Sequence, residues 1–395
     1  HEFERMTSQE LKSSVILASI YSLRMFGMFI LLPIFAIYAI NLPNTPTEMQ
    51  IGLALGVYGL TQALFQIPFG IASDIFGRKP LIYFGLSLFI IGSLIAGSTD
   101  QIEFIILGRA IQGSGAISAV LTAFLSDLTS PAQRTKSMAI IGASIGLTFL
   151  VSLILAPALN QKIGVPGIFS LIALLSLIAI FIVKFFLPDL TQVPKLKLIN
   201  KDAFKKILFR FDLQQLNFGI FTLHACQIAM FMIIPFYLID QGAMHLSEHW
   251  KVYCFVLIIS FIIVFPMIIV TEKLSKTKVT FFASIVVLIC AQCLFILISQ
   301  DLKGILIALL VFFVGFNFLE ATLPSLVSKI APDNERGLAL GVYNTSQSLG
   351  IFVGGFVGGL LNKFYGYDAT FFFCIILLAT WLLLSFKMNI PKNKS

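Results

Sequence analysis

Twelve apolar runs, each about as long as the hydrocarbon core of a bilayer is thick, leave this chain few ways to fold. They cover residues 13–40, 49–69, 81–98, 102–125, 136–159, 166–187, 213–239, 250–270, 279–299, 304–327, 337–361 and 369–388. A helix rises 1.5 Å per residue, so about 20 residues cross roughly 30 Å of hydrocarbon while satisfying every backbone polar group internally. The expected fold is an all-α membrane protein of twelve transmembrane helices. One long connection divides the runs six and six. This predicts a tail at 1–12, six-helix bundles at 13–188 and 213–388, a linker at 189–212 and a second tail at 389–395. In the linker, Phe204, Ile207, Leu208 and Phe211 recur at helical spacing, while Lys201, Lys205, Lys206 and Arg210 take other faces. That pattern predicts a basic amphipathic helix lying on the anionic inner leaflet, with a solvated linker as the alternative.

With 58% of residues apolar and 12% charged, a water-soluble fold of this composition would aggregate. The formal charge of +8 does not point to nucleic acid, because the basic residues sit between apolar runs and form no continuous face. Placing the N-terminus inside puts nearly all Lys and Arg on the cytoplasmic side, with Lys162, Lys251, Lys303 and Lys363 outside. The positive-inside rule thus predicts that both termini are cytoplasmic. Cys226, Cys254, Cys290, Cys293 and Cys374 all lie in apolar runs and read as packing residues, with no metal site expected. His1 to Arg5, ahead of Met6, read as an appended segment, and no cleavable signal follows.

Ionisable side chains inside a bilayer cost roughly 2.5–3.5 kcal/mol each even on permissive scales, so each needs a partner or a use. Four stand out: Arg24 in the first run, Arg109 in the fourth, His224 in the seventh and Glu320 in the tenth. Desolvation raises a carboxyl's proton affinity toward neutrality, which makes Glu320 the expected proton carrier, with a fixed ion pair as its competing role. His224 begins nearer neutrality but also reads as a satisfied core histidine. Arg24 and Arg109 stay charged; their expected role is to hold a nearby carboxylate or polar group, with plain structural hydrogen bonding as the alternative for Arg109. Stripes of amides supply an expected cavity lining: Gln62 and Gln66, Gln112, Asn217 and Gln227, Asn317, and Asn344 and Gln347. Interspersed Phe and Met make that cavity mainly apolar, which suits lipophilic or cationic organic molecules better than sugars. Glycines 350, 354, 355, 358 and 359 form a ridge that permits close helix approach, static or sliding. The heptapeptide Gly52-Leu53-Ala54-Leu55-Gly56-Val57-Tyr58 recurs as Gly337-Leu338-Ala339-Leu340-Gly341-Val342-Tyr343 in runs of opposite sense, a trace that inverted repeats or coincidence would both leave.

Between the second and third runs stands Gly70-Ile71-Ala72-Ser73-Asp74-Ile75-Phe76-Gly77-Arg78-Lys79-Pro80, a charged turn in a chain otherwise poor in charge. It resembles the signature of the major facilitator superfamily, departing where Ile75 stands in place of Arg or Lys. The Arg109/Gln112/Gly113 run, and the segments Leu23-Arg24-Met25-Phe26-Gly27-Met28 through Pro33 and Phe316-Asn317-Phe318-Leu319-Glu320-Ala321-Thr322-Leu323-Pro324, are similar to its drug:proton antiporters, in particular the YajR-like efflux group. The resemblance implies that Asp74 and Arg78, with Lys79 beside them, pair with Asp127 in a conformational charge cluster, Asp74 also facing the start of the eleventh helix. The antiporter motif of the fifth helix is degraded: Gly142 and Gly146 are present, but Ala156-Pro157-Ala158-Leu159-Asn160 lacks the flanking glycines. The expected function is a monomeric, proton-coupled secondary transporter exporting lipophilic or cationic compounds by alternating access. Its partners are a small-molecule substrate, protons and membrane lipids, and it needs no cofactor. The alternative is a transporter of one metabolite, such as a sugar, amino acid or siderophore. An enzyme is not expected, since no metal spacing, nucleophile–base pair or phosphate loop is present.

Overall fold

The computed structural model describes residues 5–130, 133–190, 201–332 and 335–389, and every regular element among them is helical. The helices are α1 (Ser8–Phe29), α2 (Phe35–Ile40), α3 (Glu48–Phe76), α4 (Arg78–Gly97), α5 (Ile102–Ser114), α6 (Ser118–Leu128), α7 (Arg134–Phe186) and α8 (Lys201–Phe209). They continue as α9 (Phe211–Phe231), α10 (Ile234–Asp240), α11 (His249–Lys273), α12 (Thr277–Leu297), α13 (Leu302–Ile330), α14 (Arg336–Tyr365) and α15 (Tyr367–Ser385). Among the described residues, nine stretches are long and apolar enough to span a bilayer on length and composition alone. Twelve spans result because α7 turns at Gly164 and so crosses twice, while α1 with α2, and the glycine-rich α14, complete the set.

Three expected continuous spans are broken. α1 gives way to α2 through tight turns around Pro33, which has no N–H to give and disfavours helix at the residue before it. α5 breaks from α6 at Gly115, and α9 from α10 just ahead of Pro235. These are the helices that carry Arg24, Arg109 and His224. The charged turn is also shorter than expected. α3 runs on through Asp74 to Phe76, and the reversal rests on Gly77 alone, whose φ of 97° is open to glycine at little cost.

The first six spans pack through α1 on α7, α3 and α4 on α5, and α4 on α7; the last six pack through α9 on α14 and α15, and α12 and α11 on α13. The two bundles meet chiefly through α3 on α14 and α7 on α11. Within the α3–α14 seam, a Cβ at Gly52 or Gly355 would strike the other's backbone, and one at Gly59 would strike Ser348 and Ile351. At the end that carries both termini the same α14 stripe stands clear, since a Cβ at Gly337 or Gly341 would meet nothing within 4 Å. Gly142 and Gly146 of α7 are equally clear. The bundles are therefore pressed together away from the termini and apart beside them.

Part of the expected linker, residues 191–200, lies outside the described residues. The helix expected in its second part is present as α8, and its expected apolar face is divided, since Phe211, which opens α9, is exposed. Ile207 is buried, and Phe204 and Leu208 pack on the core, where α8 meets α9 and α14. The basic residues Lys201, Lys205 and Lys206 face outward.

Candidate functional site

Three polar clusters interrupt the apolar interior. The first lies at the termini end, where Arg78 opens α4 directly after Gly77. Its guanidinium donates from Nη1 to Asp74 Oδ1 at 2.5 Å and Ser73 Oγ at 2.6 Å, and from Nε to Asp127 Oδ2 at 2.9 Å. One buried arginine thus ties α3, α4 and α6 together with charge-assisted bonds. Lys79 is not part of it. Its Nζ reaches Leu187 O at 2.6 Å and Asp189 Oδ1 at 2.9 Å, anchoring the end of α7. The Asp74 carboxylate is held by Arg78, and no hydrogen bond or ion pair joins it to α14 among the described residues.

The second cluster lies deep in the first bundle. Arg24 is 0% exposed and Arg109 1%. Arg24 donates to Gln62 Oε1 at 3.1 Å and Gln112 O at 3.4 Å, with its guanidinium 5.5 Å from the Tyr58 ring and 5.2 Å from Phe89. Arg109 donates to Ala54 O and Gln112 Oε1, both at 3.1 Å, and to Gly27 O and Leu55 O at 3.4 Å, and its guanidinium lies 4.9 Å from the centroid of the Tyr58 ring. Of the two kinds of partner expected, a carboxylate or a polar group, the polar group is the one found. Carbonyl dipoles, amide oxygens and aromatic faces stabilise both cations. Gln62 goes on to donate to Ser348 Oγ of α14 at 2.9 Å, a hydrogen bond between the bundles.

The third cluster joins α9, α13 and α14. His224 Nε2 lies 3.0 Å from Glu320 Oε2, 3.2 Å from Oε1 and 3.0 Å from Gln347 Nε2. The imidazole is 1% exposed and the carboxylate side chain 32%. Gln347 belongs to α14, the helix that also forms the seam with α3. One ring nitrogen here serves two neighbours. Carrying a proton, it donates to the carboxylate; lacking one, it accepts from the Gln347 amide or from a protonated Glu320. The charge state of the pair therefore decides which helix the histidine holds.

The amides expected to line a cavity divide accordingly. Gln62 and Gln112 are taken up by the arginines, Gln347 by His224, and Asn317 donates to Ser260 Oγ at 2.8 Å. Gln227 is fully enclosed among packed helices and so lines no open space, and Gln66 is buried. Asn217 and Asn344 remain half-exposed. Sequence reasoning passed over Tyr58, the ring shared by both arginines, and Ser348, the cross-bundle acceptor. The recurring heptapeptide was the available signal for Tyr58, since its two tyrosines, Tyr58 and Tyr343, are both buried.

The profile of the Major Facilitator Superfamily matches residues 17–354 and 318–395. Over 389 residues the chain is 41% identical to the inner membrane transport protein YajR of Escherichia coli, covering 98% of this chain and 85% of that protein. A shorter stretch of 168 residues, 39% of this chain and 41% of the relative, is 29% identical to the multidrug resistance protein MdtL of Vibrio parahaemolyticus. Among solved structures, a mutant of the nucleoside transporter NupG superimposes with a TM-score of 0.72 at 16% identity, over 96% of this chain and 99% of that one.

Proposed function

This chain belongs to the major facilitator superfamily, a family of transporters and not of enzymes, and on that premise we propose that it is a proton-coupled exporter of lipophilic or cationic compounds in a bacterial inner membrane. The observation that carries the reading is the His224–Glu320–Gln347 cluster. It is the place where a proton can be held between groups on three helices, and Glu320 stays partly open. With both termini in the cytoplasm, as the distribution of Lys and Arg implies, the parted end of the molecule faces the cytoplasm and the sealed end faces outward. A substrate enters from the cytoplasm. Bundles 13–188 and 213–388 then rock about the α3–α14 seam, as a monomer, and uptake of a proton from outside resets the cycle. The Arg78 cluster holds the first bundle rigid through that motion. Arg24 and Arg109 keep a fixed positive field beside the seam.

The accounting of amides supports the substrate class. Most are already bonded or enclosed, which leaves too few convergent hydrogen-bonding groups for a sugar and an environment suited to apolar or aromatic cargo. Transport of a single metabolite is the alternative reading, favoured by saturable binding of one polar solute. Glu320→Gln in proteoliposomes is expected to abolish substrate-driven proton movement while leaving substrate binding in place. Proton flux equal to that of the parent protein would remove Glu320 from the role.

A further inference from the structure

An open groove of about 480 Å³ runs between α1 and both arms of α7, walled by Val15, Leu23, Phe26, Leu147, Val151 and Ile182. It lies outside the three clusters, and no residue of α3 or α14 lines it. From Val15 to Phe26 it follows α1 for eleven residues, about 16 Å at the helical rise, close to one leaflet's share of a roughly 30 Å hydrocarbon core. Its mouth at the termini end is basic. Lys12 stands one turn before Val15 and Ile16 on the lining face of α1, its Nζ 5.4 Å from the ring of Phe186, one turn beyond Ile182. The Ser14 Oγ–Ser137 Oγ contact of 3.0 Å brings α1 against the start of α7, which sets Lys136 at the same corner, three turns before Leu147 on one face. No ion pair occupies Lys12 or Lys136 among the described residues. The nearby Glu10 is turned to Thr7 and Ser130, whose amides donate to its two oxygens.

We propose that this groove holds one anionic phospholipid of the leaflet on the termini side, an acyl chain lying along α1 and the phosphate between Lys12 and Lys136. The length sets the depth of the chain, and the lysines select the headgroup. Native mass spectrometry of the purified full chain, offered phosphatidylglycerol or phosphatidylcholine with matched acyl chains, tests this. The parent protein retains one phosphatidylglycerol in preference to phosphatidylcholine by about thirtyfold, as two lysines near an anionic headgroup imply. Lys12→Gln/Lys136→Gln, both surface changes, levels the two lipids; Val151→Trp, which fills the groove, lowers retention of both. Equal retention by the parent protein overturns the proposal, and so does a preference that survives the double substitution or a retention that survives the tryptophan.

Discussion

Arg109 shows why two buried cations persist with no carboxylate between them. Its planar fork reaches carbonyls on α1 and α3 together with the Gln112 amide, a fan that an ammonium has too few directed donors to copy. Arg109→Lys therefore keeps the charge and loses the fan, at a cost of about 2 kcal/mol or more, read as a lower thermal unfolding midpoint in detergent. Glu10 gives a second expectation at the same scale. The Ser130 amide, more than any other contact, holds its carboxyl below the ordinary value of 4.5, with the Thr7 amide and both hydroxyls adding to the effect. A depressed folded-state value means that this contribution is complete above the unfolded-state value and fades as pH falls through the folded one. The stability of the parent protein should drop below about pH 4.5 by slightly more than that of Glu10→Gln, with the two curves parallel between pH 6 and 8. The buried ionisable residues were legible in the sequence because charge in lipid is conspicuous. Their partners were not, because which carbonyl or amide meets a guanidinium depends on how separate helices rotate against each other, and no local spacing encodes that. Lys79, drawn to Leu187 and Asp189 instead of joining Arg78, and Gln227, polar yet enclosed, are the clearest cases.

At the scale of elements, α14 presents glycine in two directions. Gly355 and Gly359 meet α3, while Gly350 and Gly354 meet the backbone of α9 at Phe221 and Ala225. The first pair lies in a seam between bundles and the second within one bundle, so equal substitutions have unequal effects. Gly354→Val forces α9 and α14 apart at a cost of about 1–3 kcal/mol and lowers the unfolding midpoint. Gly355→Val spares the bundle but blocks the seam, which should expose cysteines introduced beside Gly52 to a membrane-impermeant thiol reagent added from the sealed side. Gly341→Ala adds a Cβ that meets nothing within 4 Å and should leave both readings unchanged. Span positions were readable from hydropathy, which is a property of each segment alone. The breaks after α1, α5 and α9 were harder to read, because Pro and Gly are tolerated in many membrane helices and Pro324 leaves α13 unbroken.

On the proposed rocking cycle the whole molecule balances two ways of closing, and the Gln62–Ser348 bond weighs on one side. Ser348→Ala removes the hydroxyl acceptor from the bonded seam, worth about 1 kcal/mol, or a shift of about fivefold in the ratio of the two forms. Distances between spin labels on the termini ends of α3 and α14 should move toward the shorter population by that proportion, without change in the fold of either bundle. The twelve-span plan and the division into halves were evident from the chain, whereas the form adopted was not, since both forms use the same residues. The recurring heptapeptide makes this concrete. Its copy at Gly52 is already clasped, and its copy at Gly337 hangs open over a cleft. A rigid wedge that lodges beside Gly337 and Gly341 would jam the molecule before its return stroke, while an identical wedge offered to the opposite face would find no crevice to enter.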